Sequence, residues 1–144
     1  MAFLTEEELK KLNFKSLGNN VLISDKASIY APHKISIGNN TRIDDFCILS
    51  AGKDGIKIGN HVHIACYVSL IGQALIEICD FVGISSRSAI YSSNDDYSGN
   101  FLTGPTVTSD LTNVSHGKVY VGRHAILGVN TVVMPNVTIN EGAA

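Results

Sequence analysis

The chain has no tryptophan, 7% aromatic residues and 17% charged residues over its 144 positions. It lacks the basic character of a nucleic-acid binder: the formal net charge is −2, and no cluster of Lys and Arg occurs. No apolar run approaches the roughly 18 residues of a membrane-spanning segment. The start, MAFLTEEELKK, has neither the charged beginning nor the apolar stretch of a signal peptide. Cysteine is sparse. Cys47, Cys66 and Cys79 are odd in number, and their spacings of 19 and 13 match no metal motif. They read as reduced thiols of a cytoplasmic protein, acting as small core hydrophobes.

What the chain does have is Gly, Ile and Val, the material of short strands and tight turns. The stretch Val121 to Ala144, VGRHAILGVNTVVMPNVTINEGAA, divides into sixes. Its blocks open on Val121, Leu127, Val133 and Ile139, all aliphatic, and their fifth residues are Ala125, Thr131, Val137 and Ala143, all small or β-branched. A period of six is even, as strand alternation requires, and holds one short strand with an inward aliphatic plus a turn. Three such strands close one coil of a triangular prism, about 18 residues round, and stacked coils pile their aliphatics into a continuous core.

The same register runs back through the chain. Ile37 opens IGNNTR, Ile58 opens IGNHVH and Ile78 opens ICDFVG, 21 and 20 residues apart. Small insertions at one corner account for the excess over 18. From Ile78 to Val121 is 43 residues, which fits one coil plus a long loop, roughly 92–118. A loop of that length in a compact domain is uncommon and usually either functional or disordered. The expected fold is an all-β solenoid. Residues 1–20 form a capping helix and turn, and residues 21–144 form the β-helix with its inserted loop. Residues 3–13 read as the helix: Thr5 and Glu8 make a capping box, and Leu4 and Leu9 are placed for a hydrophobic staple.

The segments IGNNTRI, IGNHVHIA, the loop after Ile90 and VGRHAILGVNTVVMPNVTI resemble the hexapeptide-repeat acyltransferases, the family of galactoside, maltose and O-antigen sugar acetyltransferases. The resemblance covers nearly all of residues 23–144. It implies a left-handed parallel β-helix, a homotrimer and acetyl-CoA as acyl donor. The expected acceptor is a sugar or nucleotide sugar, in making a surface polysaccharide such as O-antigen or capsule. It also implies that Ala125, Gly128 and Val129 line the pantetheine path, where small residues let the cofactor approach the backbone.

Two departures stand out. Ile126 occupies the place of a tryptophan usual in the family, and the chain stops at Ala144, mid-repeat, which reads as a chain whose last part lies outside this sequence. In the sugar O-acetyltransferases the general base is a loop histidine, five residues after the aliphatic that opens the loop. Here that position is Asp95.

Acyl transfer from a thioester needs a base, an oxyanion donor and alignment of the two substrates. One solution folds His116, at the far end of the loop, over the site, with Asp95 or Asp96 orienting its imidazole. Asn94, Asp96 and Tyr97 are then the neighbouring candidates for substrate contact. A second solution has no histidine base. An amino-sugar acceptor needs little help to expose its free amine, and a carboxylate receives the proton. An aspartate of ordinary pKa, about 3.9, is a poor base for a hydroxyl. The main reading is O-acetyl transfer by His116 with Asp95. The alternatives are N-acetyl transfer to an amino-sugar nucleotide, and a non-catalytic hexapeptide scaffold. His61, His63, His124 and His33 are placed on outer faces or corners, and no pair has metal-ligand spacing, so no catalytic metal is expected.

Overall fold

The computed structural model describes all 144 residues. It is a left-handed parallel β-solenoid of about six turns with one short helix. Three parallel sheets form the prism. The first face carries the strands Ser16–Leu17, Ile35–Ile37, Ile56–Ile58, Ile76–Ile78, Val119–Val121 and Thr138–Ile139. The second carries Leu22–Ile23, Arg42–Ile43, His63–Ile64, Gly83–Ile84 and Ile126–Leu127. The third carries Ser28–Tyr30, Ile48–Ala51, Ser69–Gly72, Ala89–Tyr91 and Val132–Val133.

The register follows the hexapeptide openings. Ile37 pairs with Ile58, Ile58 with Ile78, and Ile78 with Val121. The coil after Ile78 therefore closes across the whole loop, and residues 43 apart in sequence lie side by side. Inward positions are occupied by Ile23, Ile43, Ile64 and Ile84 on the second face and by Leu49, Leu70 and Ile90 on the third, all fully or nearly fully buried. Each aliphatic stacks on its counterpart in the next coil, so the core is a column and the strands need no long hydrophobic runs. Cys47 belongs to this core. Burial pushes its thiol up to about 11.

The corners show what stacking demands of the backbone. Asn20, Asn40, His61, Phe81 and His124 occupy one corner column in the left-handed region, with φ between 55° and 61°. Such a conformation costs a residue with a Cβ about 1–2 kcal/mol. Hydrogen bonds that repeat coil by coil offset it. The Asn19, Asn39 and Asn60 amides donate to the side chains of Asn39, Asn60 and Asp80 at 2.8, 2.7 and 2.8 Å. The rings of His61, Phe81 and His124 then stack, with centroids 4.8 and 5.0 Å apart.

The N-terminal helix spans Glu6–Lys11, shorter than 3–13 at both ends, because the Leu4 amide bonds to Ile23 and Phe3 bridges Ser24. Its capping box forms as expected, with both Thr5–Glu8 bonds at 3.2 Å. Leu9 enters the core and so covers the first coil. The solenoid begins earlier than residue 21, since Ser16–Leu17 already pairs with Ser36 and Ile37.

Candidate functional site

The loop leaves the third face after Tyr91 and returns at Val119. Its stem is a two-stranded antiparallel ladder, Ser93–Asn94 with Ser115–His116. Opposite residues in such a ladder face each other, so Ser93 meets His116, and the Ser93 hydroxyl lies 2.7 Å from His116 Nδ1. The same hydroxyl accepts from the Gln73 amide at 2.8 Å, and Gln73 Oε1 accepts from the Lys53 amide at 3.0 Å. Three coils are thus tied to the imidazole. Between the stem and the preceding corners lies a cleft of about 610 Å³, lined by Gly72, Gln73, Ser93, Thr112, Asn113 and His116 among others. Its surface is rich in hydroxyl and amide groups, suited to a hydroxylated ligand.

His116 and Asp95 share no hydrogen bond, so the expected dyad is not formed within one chain. The stem gives His116 to Ser93, while Asp95 lies past the stem. One Asp95 oxygen accepts a single long bond, 3.4 Å, from the Gly104 amide. Asp96 is spent on the loop itself, accepting from the Ser98 amide at 2.7 Å and from Asn113 Nδ2 at 2.8 Å. The Ser98 and Asn113 bonds hold its carboxyl below the usual carboxylate range. Tyr97 is exposed and donates to Asn94 Oδ1 at 3.2 Å.

Ala125 is wholly buried in the core, so its methyl does not face an outer groove. As the fifth residue of its hexapeptide it points inward, and its carbonyl accepts from the Gly83 amide of the neighbouring coil at 3.1 Å. Gly128 and Val129 are exposed. Ser85 stands on the coil beneath Gly128, next to Ile84, which pairs with Leu127.

Two features escaped the sequence reading. Ser85 is one. The other is a polar cluster on the second face. Asp44 is buried and accepts from Arg42 Nε at 2.6 Å and from His63 Nε2 at 2.9 Å. Burial by itself raises the Asp44 carboxyl, but the hydrogen bonds and charges of Arg42 and His63 together outweigh it and hold the group low. Arg42 and His63 are adjacent in the parallel register, which is the only signal that links them before folding.

A solenoid of hexapeptide coils with a cleft under one inserted loop defines the β-helix class of sugar acyltransferases. No family model matches the sequence. The dTDP-4-amino-4,6-dideoxy-D-glucose acyltransferase of Escherichia coli is 54% identical over 144 residues, which is 100% of this chain and 75% of that protein. AntD, an N-acyltransferase from Bacillus cereus, was crystallised with dTDP-4-amino-4,6-dideoxyglucose and coenzyme A. That structure has a TM-score of 0.93 and 52% identity, covering 97% of this chain and 74% of AntD. A second AntD structure, with dTDP and 3-hydroxybutyryl-CoA, has a TM-score of 0.92 and 53% identity, covering 97% of this chain and 73% of AntD. The chain belongs to this family of dTDP-4-amino-4,6-dideoxyglucose acyltransferases. No helix is long and apolar enough to cross a membrane.

Proposed function

We propose that this protein transfers an acyl group from a CoA thioester to the 4-amino group of dTDP-4-amino-4,6-dideoxyglucose. The observation that carries this reading is Asp95. It stands where the O-acetyltransferases place a histidine base, with only one weak contact from its own chain. A carboxylate there suits an amine acceptor. The neutral amine attacks the thioester carbonyl, forming the C–N bond, and the C–S bond breaks. The proton lost by nitrogen passes to Asp95, and CoA leaves as the thiolate, which is then protonated. His116, bonded to Ser93 in the cleft, positions the sugar in this reading. N-acyl transfer thereby replaces hydroxyl acetylation as the main reading, and it is the reaction that the name of AntD describes.

The solved AntD structures include variants of one serine and of one aspartate, ten residues apart. Ser85 and Asp95 have that spacing. Ser86 and Asp96 share it, but Ser86 is bonded to Cys66 at 3.3 Å and Asp96 is committed to the loop. We therefore place the thioester carbonyl beside the Ser85 hydroxyl, which donates to the developing oxyanion. The third face, about five extended residues wide, keeps Ser85 and Asp95 on the order of 15 Å apart in one chain. A homotrimer in which the loop of one subunit meets the second face of its neighbour brings the two together.

The test is CoA release with dTDP-4-amino-4,6-dideoxyglucose and with its 4-hydroxyl counterpart. Asp95→Asn should lower turnover of the amine by about 10²- to 10⁴-fold, the range for a general base, while His116→Ala chiefly raises the acceptor KM. Turnover of the hydroxyl acceptor that collapses in His116→Ala would reverse the assignment to O-acyl transfer.

A further inference from the structure

Along the second face the outward column reads Leu22, Arg42, His63, Gly83, Ile126. Every member but Gly83 carries a long side chain. Most glycines here have an internal reason. Gly38 and Gly59 are pressed by the next coil, and Gly55 and Gly72 have positive φ. Gly83 has neither: its backbone lies outside the left-handed region, and a Cβ built on it meets nothing within 4 Å. Gly128 is the only other glycine of which both are true. A glycine inside a strand weakens it, and an uncrowded one marks a place where something outside the chain comes close.

The missing side chain leaves a slot with Ile126 as one wall and His63 as the other. Neighbouring strands are about 4.8 Å apart, so these walls stand about 10 Å apart at their Cα atoms. A methylene chain, about 4 Å thick, fits between them. The Ile126 wall is apolar and 55% exposed. The His63 wall is polar and fixed by the 2.9 Å bond to Asp44. Ser85 lies two residues from Gly83 on the same side of the strand, with Gly128 on the coil above it.

We infer that Gly83 is the floor of an acyl-chain slot and sets the length of acyl group the enzyme accepts, an inference that rests on the acyl-CoA reading above. With the thioester carbonyl at Ser85, the two arms of the donor diverge over the two uncrowded glycines. The pantetheine arm passes Gly128, and the acyl arm runs over Gly83 between Ile126 and His63. The slot admits chains longer than acetyl.

The test compares acetyl-, butyryl- and hexanoyl-CoA in wild type, Gly83→Ala, Gly83→Val and Ile126→Ala. Calorimetric affinities of CoA and butyryl-CoA provide a readout independent of turnover. Gly83→Val should lower the ratio of butyryl-CoA to acetyl-CoA turnover by about tenfold or more, the scale of discrimination that a pocket filled by a methyl or two achieves. CoA affinity should hold while butyryl-CoA affinity falls. Ile126→Ala should shift preference toward hexanoyl-CoA. Gly83→Ala, the smaller step, supplies the result should the valine variant misfold. Equal chain-length profiles in wild type and folded Gly83 variants would overturn the inference, as would an equal loss of CoA and butyryl-CoA affinity. A wild type that binds CoA but acylates no amino sugar would fail the functional reading alone, and the two affinities would still decide the slot.

Discussion

Gly59 and Gly83 offer the same substitution with opposite outcomes. At Gly59 a Cβ would collide with Asp80 Oδ1 and lie 2.9 Å from the Asp80 amide nitrogen and 3.0 Å from the Cys79 carbonyl carbon. Asp80 Oδ1 is the acceptor of the 2.8 Å bond from the Asn60 amide. The carboxylate must swing away and the backbone must shift. Losing a bond to a charged acceptor costs about 1.5–3 kcal/mol, and forcing volume into a packed position costs about 1–3 kcal/mol. Partial exposure of Asp80 places the first cost at its low end. Against these, Ala in place of Gly restricts the unfolded chain and returns about 0.5–1 kcal/mol. The net expectation is a loss of about 1.5–4 kcal/mol, or a melting temperature roughly 3–15 °C lower for a chain of this length. At Gly83 no such contact exists, so Gly83→Ala should raise stability by about 0.5–1 kcal/mol. Thermal melts of the two variants beside wild type, at one protein concentration, read both. A Gly59→Ala variant that melts as high as Gly83→Ala would refute the reading of the corner ladder.

Asp44 carries an acid-stability signature. Its folded-state pKa lies below the unfolded value of about 3.9, so its contribution is present above about pH 4 and is lost as pH falls through the lower folded value. Urea midpoints between pH 3 and 6 should show a shallower acid decline in Asp44→Asn than in wild type, and parallel curves would exclude Asp44 as a cause. Cys47 should escape iodoacetamide at pH 8 in the native state, being fully buried with its thiol at about 11, while the half-buried Cys66 and Cys79 react. Mass spectrometry of the labelled native protein checks this, and a label on Cys47 would mean that the coil around it opens.

The pairing of Ile78 with Val121 across 43 residues was legible in advance because stacked coils permit one register only, that which keeps aliphatics on the core column. Ala125 is inward by its hexapeptide position, and the structure buries it there. The partner of His116 was not legible. It depends on how the loop folds back on itself, and the stem places Ser93, not Asp95, opposite the imidazole. The Asp44–His63 bond was also hidden, since it joins residues 19 apart in sequence through the lateral offset of neighbouring coils.

By itself the sequence determined the solenoid, its register, the capped N-terminal helix and the site of the loop, because each is a local pattern repeated every six residues or closed within one turn of helix. Only the tertiary structure decided which polar side chains meet, which glycines are crowded by the neighbouring coil, and which loop acid is free. Those contacts run between coils and through the loop, where partners are set by three-dimensional packing and no period in the chain encodes them.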